Sequence, residues 1–223
     1  GYHQVETRDL AARMAQLEAQ GLSVVLCGDD AGVWALVGLR DLPRHDALRT
    51  VRDLRELGIR RQVLLTGDNA AACQQIARAL ELDEARTQLL PADKEAAVRA
   101  LAVDGARVAM VGDGVNDTPA MAAASVGIAL GPRSTDAALE VADIVVAVDD
   151  LARVSWVVGH ARRTLRVVQQ NVWLAVGAKV AFAVMAVAGH ATLWMAVAAD
   201  TGATLLVTLN GLRLLAASGV RRS

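Results

Sequence analysis

The sequence predicts a doubly wound parallel α/β domain followed by a transmembrane α-helical hairpin, and three observations carry that prediction. Short apolar runs alternate with segments of helical period from about residue 43 to residue 150. Two long apolar stretches lie near the end of the chain. Charged residues recur every few positions from Leu10 to about Arg166, whereas between Val172 and Leu212 only Lys179 and Asp200 are charged. The 223 residues are 54% hydrophobic and 21% charged, and the mean hydropathy is +0.34. Those figures are compatible only if the apolar residues are segregated into a membrane part behind a soluble one.

Along the chain, residues 7–20 have a helical pattern, and 22–27 (LSVVLC) read as a strand. Asp29-Asp30-Ala31-Gly32 forms a turn into a second strand over 33–39. After Pro43 the alternation becomes strict. A helix is expected over 46–57, stopped by Gly58, then a short apolar strand over 62–65, and TGDN leads into a helix over 70–80. A strand is expected at 87–90, a helix over 92–103 and a strand over 107–111; GDGVND then opens another helix. Strands at 126–130 and 144–148 complete the set. Apolar strands separated by helices imply a parallel sheet covered on both faces. Functional loops then lie at the strands' C-terminal ends, where Thr66 and Asp113 fall.

Residues 151–170 are expected to form a linking helix, with Arg162, Arg163 and Arg166 just ahead of the apolar region. The stretches 172–189 and 191–215 are each long enough for a ~30 Å hydrocarbon core, which needs about 20 residues. Gly189-His190 is the break between them. Positive charge gathers at both outer ends (Arg162, Arg163, Arg166; Arg213, Arg221, Arg222) and not at the turn. That asymmetry places both ends of a hairpin in the cytoplasm. A buried helical hairpin of a soluble protein is the alternative.

The formal net charge of −1 offers no nucleic-acid surface. Cys27 and Cys73 form no CxxC or Cys/His cluster and read as reduced, packed thiols of a cytosolic domain. No signal peptide is visible. The chain begins with Gly1 rather than Met, so a natural start is not expected there.

Three strings carry chemistry. In GDGVND, residues 112–117, a strand end delivers Asp113, where a carboxylate can hold Mg²⁺ beside a phosphoryl group. Gly112 and Gly114 allow a sharp turn and close approach of the backbone. Asn116 and Asp117 can orient the site, and Asp117 or Thr118 can cap the helix that Pro119 begins. In TGDN, the Thr66 hydroxyl and the adjacent backbone N–H groups of Gly67 and Asp68 can donate to a phosphate at a helix N-terminus. In PADK, the Lys94 ammonium can neutralise phosphoryl oxygens during transfer. Each string alone would pass for a turn, a cap or a surface lysine. Their order, threonine then lysine then paired aspartates, argues for a site.

That series resembles the haloacid-dehalogenase superfamily. More narrowly, TGDN, PADK and GDGVNDTPA are similar to the phosphorylation domain of a P-type ATPase. The resemblance implies that Thr66 and Lys94 contact an aspartyl phosphate, that Asp113 binds Mg²⁺, and that Asn116 and Asp117 support them, with ATP as cosubstrate. Asp68 is then expected to arrange its loop. It also implies four parts: the tail of a nucleotide-binding domain (1–38), a haloacid-dehalogenase-like phosphorylation domain (39–150), the linking helix (151–170) and two transmembrane helices (171–216). Asp41 to Pro43 resemble the hinge between the first two. The family's nucleophile lies in a DKTGT string that does not occur here, and the resemblance places it in an N-terminal portion of the pump. Without it the chain supplies only the electrostatic half of phosphoryl transfer.

Lys179 lies 11 residues before His190 and Asp200 lies 10 after it. At ~1.5 Å per residue both sit roughly 15 Å from the turn, at matching depth near mid-membrane. They can pair with each other, or Asp200 can bind a cation that Lys179 later displaces; ionisable groups at that depth are costly. Both spans resemble those of the zinc-, cadmium- and lead-exporting P-type ATPases, where the Asp is a transport-site ligand and the Lys a built-in counter-ion. The copper subgroup's Tyr-Asn pair and Met-x-x-Ser-Ser string are absent, and a hard carboxylate suits Zn²⁺ better than Cu⁺. The resemblance thus implies a multi-pass plasma-membrane exporter of Zn²⁺, Cd²⁺ or Pb²⁺ with its soluble domain cytoplasmic. A truncated, non-catalytic membrane remnant and a haloacid-dehalogenase-type phosphatase are the other readings.

Overall fold

A computed structural model describes residues 7–29, 32–39, 43–113, 116–132, 136–190 and 192–217. The expected site residue Gly114, part of the expected 29–32 turn, the start of the expected hinge and the terminal Arg221 and Arg222 lie outside them. The chain divides into two compact units, Gly1–Ser155 and Trp156–Ser223.

The first unit opens with α1 (Thr7–Ala19) and an antiparallel hairpin of β1 (Ser23–Asp29) and β2 (Gly32–Leu39). Then follow α2 (Ala47–Glu56), β3 (Val63–Leu65), α3 (Ala70–Ala79), β4 (Glu84–Arg86) and α4 (Pro91–Leu101). After a 3₁₀ turn come β5 (Ala109–Gly112), α5 (Thr118–Ala123), β6 (Val126–Leu130), α6 (Asp136–Val141) and β7 (Ile144–Val146). The ends follow local chemistry. Gly58, at φ +84°, closes α2 in the left-handed conformation that glycine tolerates best. Asn69 caps α3 by accepting from the Ala72 N–H at 2.9 Å, and the Asp93 carboxylate accepts from the Leu90 N–H at 3.0 Å at the start of α4.

Parallel pairing is as expected: β3 with β4, and β5 with β6 with β7. Among the described residues β3 pairs only with β4, and the order of the second sheet leaves β5 at an edge. The sheet is packed on both faces, as β6 shows. Ala129 belongs to a cluster with Val98, Met110, Ala120, Met121 and Ala138, against which Leu65 of β3 packs. Its neighbours Ile128 and Leu130 point the other way, into a cluster with Val146 and Val154.

One strand is displaced from its expected place. The expected strand at 87–90 is a loop, and the strand is the charged tripeptide Glu84–Arg86. Its charges are satisfied laterally: the Glu84 carboxylate accepts from Arg61 at 2.5 Å and from Arg86 at 2.7 Å, which holds it below the usual carboxylate range.

α7 runs unbroken from Ala152 to Val187, 36 residues, so the expected linking helix and first span are one element. Asp46 stands at the N-cap position of α2, yet its side chain does not cap that helix. It accepts instead from the N–H groups of Leu151 and Ala152, at 2.9 and 3.3 Å, where α7 begins. Beside it Arg44 pairs with Asp149. Burial alone would raise the Asp46 pKa, but the backbone donors outweigh it and hold the carboxyl below its ordinary value.

In the second unit α7 turns at Gly189 (φ +76°) into α8 (Leu193–Ala217). Both helices are long and apolar enough to cross a membrane. Large apolar side chains such as Trp173, Trp194 and Leu193 are at least three-quarters exposed, as a lipid-facing surface requires.

Candidate functional site

Thr66, Gly67 and Asp68 follow β3, Gly112 ends β5 and Asp113 follows it. The Thr66 hydroxyl donates to the Asp68 carboxylate at 2.8 Å, and the Asp68 N–H donates back to the hydroxyl at 3.1 Å. This small ring fixes the threonine rotamer, and Asp68 therefore arranges its loop. The loop is strapped to the segment after β4: the N–H groups of Gln88 and Leu89 donate to the carbonyls of Asp68 and Thr66, each at 3.0 Å. Gln88 takes a left-handed backbone, φ +55°, to do so. Buried Cys73 lies under the same loop. Burial and the nearby Asp68 charge push its thiol up, against a smaller opposing effect of a hydrogen bond with Thr66.

The structure joins PADK to GDGVND directly. Lys94 Nζ donates to Asp117 Oδ1 at 2.7 Å, with the side chains only 13% and 15% exposed. Asp117 occupies the N-cap of α5 without making a side-chain cap bond, so the capping role open to it in sequence goes unused. Gly112 makes room for this arrangement. A Cβ there would lie 2.6 Å from Asp117 Oδ2 and 2.8 Å from its Cβ, closer than real contacts allow. Asp113 and Asn116 are exposed beside the pair.

No group of three or more His, Cys, Asp or Glu side chains gathers among the described residues. An exposed carboxylate just past a strand end, Asp113, with a second, Asp117, four residues on, is an oxygen donor set of the kind Mg²⁺ uses when substrate phosphate and water complete its shell. The residues therefore fit that ion, and do not form a closed zinc-type site.

In the second unit Lys179 and Asp200 line one cavity of about 420 Å³ between α7 and α8, with Ala175, Phe182, Ala203 and Thr204 among its other walls. They share the cavity but form no ion pair among those found in the described residues. The hydroxyls of Thr204 and Thr208 donate to the carbonyls one turn earlier, at 2.9 and 2.8 Å, and so carry no unsatisfied donor into the apolar layer.

Sequence reasoning did not single out Gln88, Leu89, Asp46 or the amides Asn171 and Asn210. The first three act through backbone groups or across more than a hundred residues, and leave no local signal. The amides do leave one, since they stand at nearly equal distances from the turn.

A family model described as haloacid dehalogenase-like hydrolase matches residues 2–125. The "Probable cadmium-transporting ATPase" of Listeria monocytogenes is 39% identical over 209 residues, 94% of this chain and 29% of that protein. The "Zinc/cadmium/lead-transporting P-type ATPase" of Escherichia coli K12 is 45% identical over 200 residues, 90% of this chain and 27% of that protein. A crystal structure of a zinc-transporting PIB-type ATPase in its E2·Pi state superposes with a TM-score of 0.79 at 43% identity, over 94% of this chain and 34% of that one. The chain thus spans less than a third of the length of the curated relatives. The matched sequence, the parallel fold and the convergence of Lys94 on Asp117 agree: the chain belongs to the haloacid dehalogenase-like hydrolase family, and within it groups with the heavy-metal-transporting P-type ATPases.

Proposed function

We propose that the chain is part of a longer ATP-driven exporter of Zn²⁺, Cd²⁺ or Pb²⁺ that works through an aspartyl phosphate. It supplies most of the phosphorylation domain, cytoplasmic, and two membrane spans. The observation that carries the reading is the nearly buried Lys94–Asp117 pair, which brings two distant strings to one place at the strand ends. The names of the relatives supply the cargo class, and their greater length supplies room for the remaining parts. Residues 1–38 then belong to the nucleotide-binding domain, 39–150 to the phosphorylation domain, 151–170 to the link and 171–216 to the membrane.

The edges that β3 and β5 leave unpaired among the described residues suit a further parallel strand, and such a strand from another part of the pump delivers the nucleophilic aspartate. Its carboxylate oxygen attacks the γ-phosphorus of ATP and ADP leaves. Thr66, once its hydroxyl turns from the Asp68 carboxylate, and the N–H of Gly67 then hold the phosphoryl oxygens while the Asp68 N–H keeps the threonine in place; Lys94 balances the charge of those oxygens, and Asp117 holds Lys94. Asp113 is the carboxylate that would hold Mg²⁺, with Gly112 and Asn116 beside it; the ion would supply charge neutralisation to the transferring phosphoryl group. Asp200 is the cargo ligand and Lys179 the counter-charge that replaces the cargo after release.

The test is metal-stimulated ATP hydrolysis by the complete pump in lipid. Asp200→Ala abolishes the stimulation while ATP still binds; undiminished stimulation refutes the role given to Asp200. A soluble phosphatase has the two exposed apolar helices against it, and a non-catalytic remnant predicts no metal-stimulated hydrolysis at all.

A further inference from the structure

The hairpin of the second unit is tied at both ends and hollow between them. One tie is the turn at Gly189. The other is a cluster of amides. Asn210 Nδ2 on α8 donates to Asn171 Oδ1 on α7 at 2.9 Å and to Gln170 Oε1 at 3.4 Å, while Arg213 donates to Asn210 Oδ1 at 3.1 Å. Asn171 stands 19 residues before His190 and Asn210 stands 20 after it, so the two meet at equal depth. Lys179 is eight residues from Asn171, and Asp200 ten from Asn210. At the helical rise the amides are therefore roughly 12–15 Å from the charged centre of the cavity, at the end of the spans that continues into the soluble unit.

We propose that Asn171 and Asn210 form a clasp that fixes the spacing of α7 and α8, and that this spacing sets the affinity of the Lys179–Asp200 cavity for its divalent cation. The inference rests on the pump reading for the identity of the cargo. Its physical basis is independent. Two helices joined by a turn can splay about it, and in lipid no hydrophobic force closes them again. A side-chain hydrogen bond at the far end opposes that splaying, and Asn210 has both its donor and acceptor sides engaged. When the clasp opens, Asp200 and Lys179 no longer face a cavity of fixed width. Cargo affinity then falls, whereas the phosphate-handling side chains, all in the first unit, keep their geometry. These are positioning residues and touch no cargo.

The experiment measures Zn²⁺ binding to the complete pump by equilibrium dialysis, and Zn²⁺-stimulated ATP hydrolysis in parallel. Asn210→Leu and Asn171→Leu each raise the Zn²⁺ dissociation constant and the half-stimulating concentration by about 3- to 30-fold, the range such interhelical bonds are worth in membranes. Maximal turnover stays within about twofold. The double variant is no worse than either single one, and Asn171→Asp, which keeps the acceptor, binds as the unaltered protein does. Asn210→Ser, too short to reach α7 and able to bond to its own helix as Thr204 does, serves if the leucine variants fail to assemble. Unchanged Zn²⁺ affinity, additive effects of the two leucines, or a loss confined to turnover each overturns the clasp. Normal Zn²⁺ binding without metal-stimulated hydrolysis refutes the pump reading and leaves the clasp to be judged on dialysis alone. A complete protein that binds no Zn²⁺ overturns both.

Discussion

Replacing Gly112 by alanine tests the packing on which the Lys94–Asp117 pair depends. Gly112 has no left-handed backbone to protect, so its value lies in the space beside it. The three atoms nearest an added Cβ all belong to Asp117, at 2.6, 2.8 and 3.1 Å. Asp117 must therefore move, and in moving it leaves a nearly buried ammonium without its carboxylate. Overpacking of this kind costs about 1–3 kcal/mol, and loss of a hydrogen bond to a charged group about 1.5–3. The two overlap, so the expected loss is about 2–4 kcal/mol, or very roughly 6–15 °C in melting temperature for a domain of this size. The assay is urea unfolding of the complete protein, followed by circular dichroism. The decisive comparison is the same substitution on an Asp117→Gly background, where the clashing atoms are gone. There Gly112→Ala should cost less than about 1 kcal/mol. An equal cost in both backgrounds refutes the argument, because the strain would then lie elsewhere.

Asp46→Ala removes the acceptor at the start of α7 and should cost about 0.5–2 kcal/mol, with Asp46→Asn losing less. The folded carboxyl lies below its unfolded value, so its contribution is complete above the unfolded pKa of about 3.9 and is lost as pH falls through the folded pKa. The stability gap between wild type and Asp46→Ala should therefore be constant from neutral pH to about pH 5 and shrink in stronger acid; a gap that widens there contradicts the assignment. Gln88→Gly should stabilise the first unit by about 0.5–1 kcal/mol, since a non-glycine residue at φ +55° is strained, and a urea midpoint that falls would show that the Gln88 side chain matters more than its backbone.

The parts of the fold that were legible in the sequence are those whose signal is local. The spacing of apolar residues located β6 to the residue, and Gly58 stopped α2 as a left-handed closing glycine does. The strand β4 was not legible because hydrophobicity was the wrong criterion for it. Glu84 and Arg86 sit in a sheet with the Glu84 charge met by Arg61, 23 residues away, while the segment 87–90 serves as a strap to the Thr66 loop. Of the candidate site, residue identities and order were readable, but the partners were not. Asp117 had a local option, capping α5, and a distant one, Lys94. Only the fold, by packing α4 against α5, decides between them. Lys179 and Asp200 show the reverse. Equal distances from the turn placed them at one depth, and the same arithmetic finds Asn171 opposite Asn210. Depth in a hairpin can be counted along a sequence, whereas side-chain choice among partners cannot.

The choice made by Asp117 bears on how the proposed phosphate site would work. Moving an ammonium into a pocket that leaves it 13% exposed is unfavourable unless an anion meets it. Asp117 is that anion before any phosphate arrives, so Lys94 is held in place by a bond made in advance. Under the proposed function, an incoming phosphoryl group would find the donor already positioned and repay little reorganisation. Asp117 must also tolerate an anionic neighbour, and its bond to the Lys94 ammonium offsets that repulsion. Neutralising it to asparagine should therefore loosen Lys94 more than it relieves repulsion, weakening phosphate-analogue binding to the complete pump rather than strengthening it. Tighter binding by Asp117→Asn would show that repulsion dominates and that Lys94 needs no resident partner.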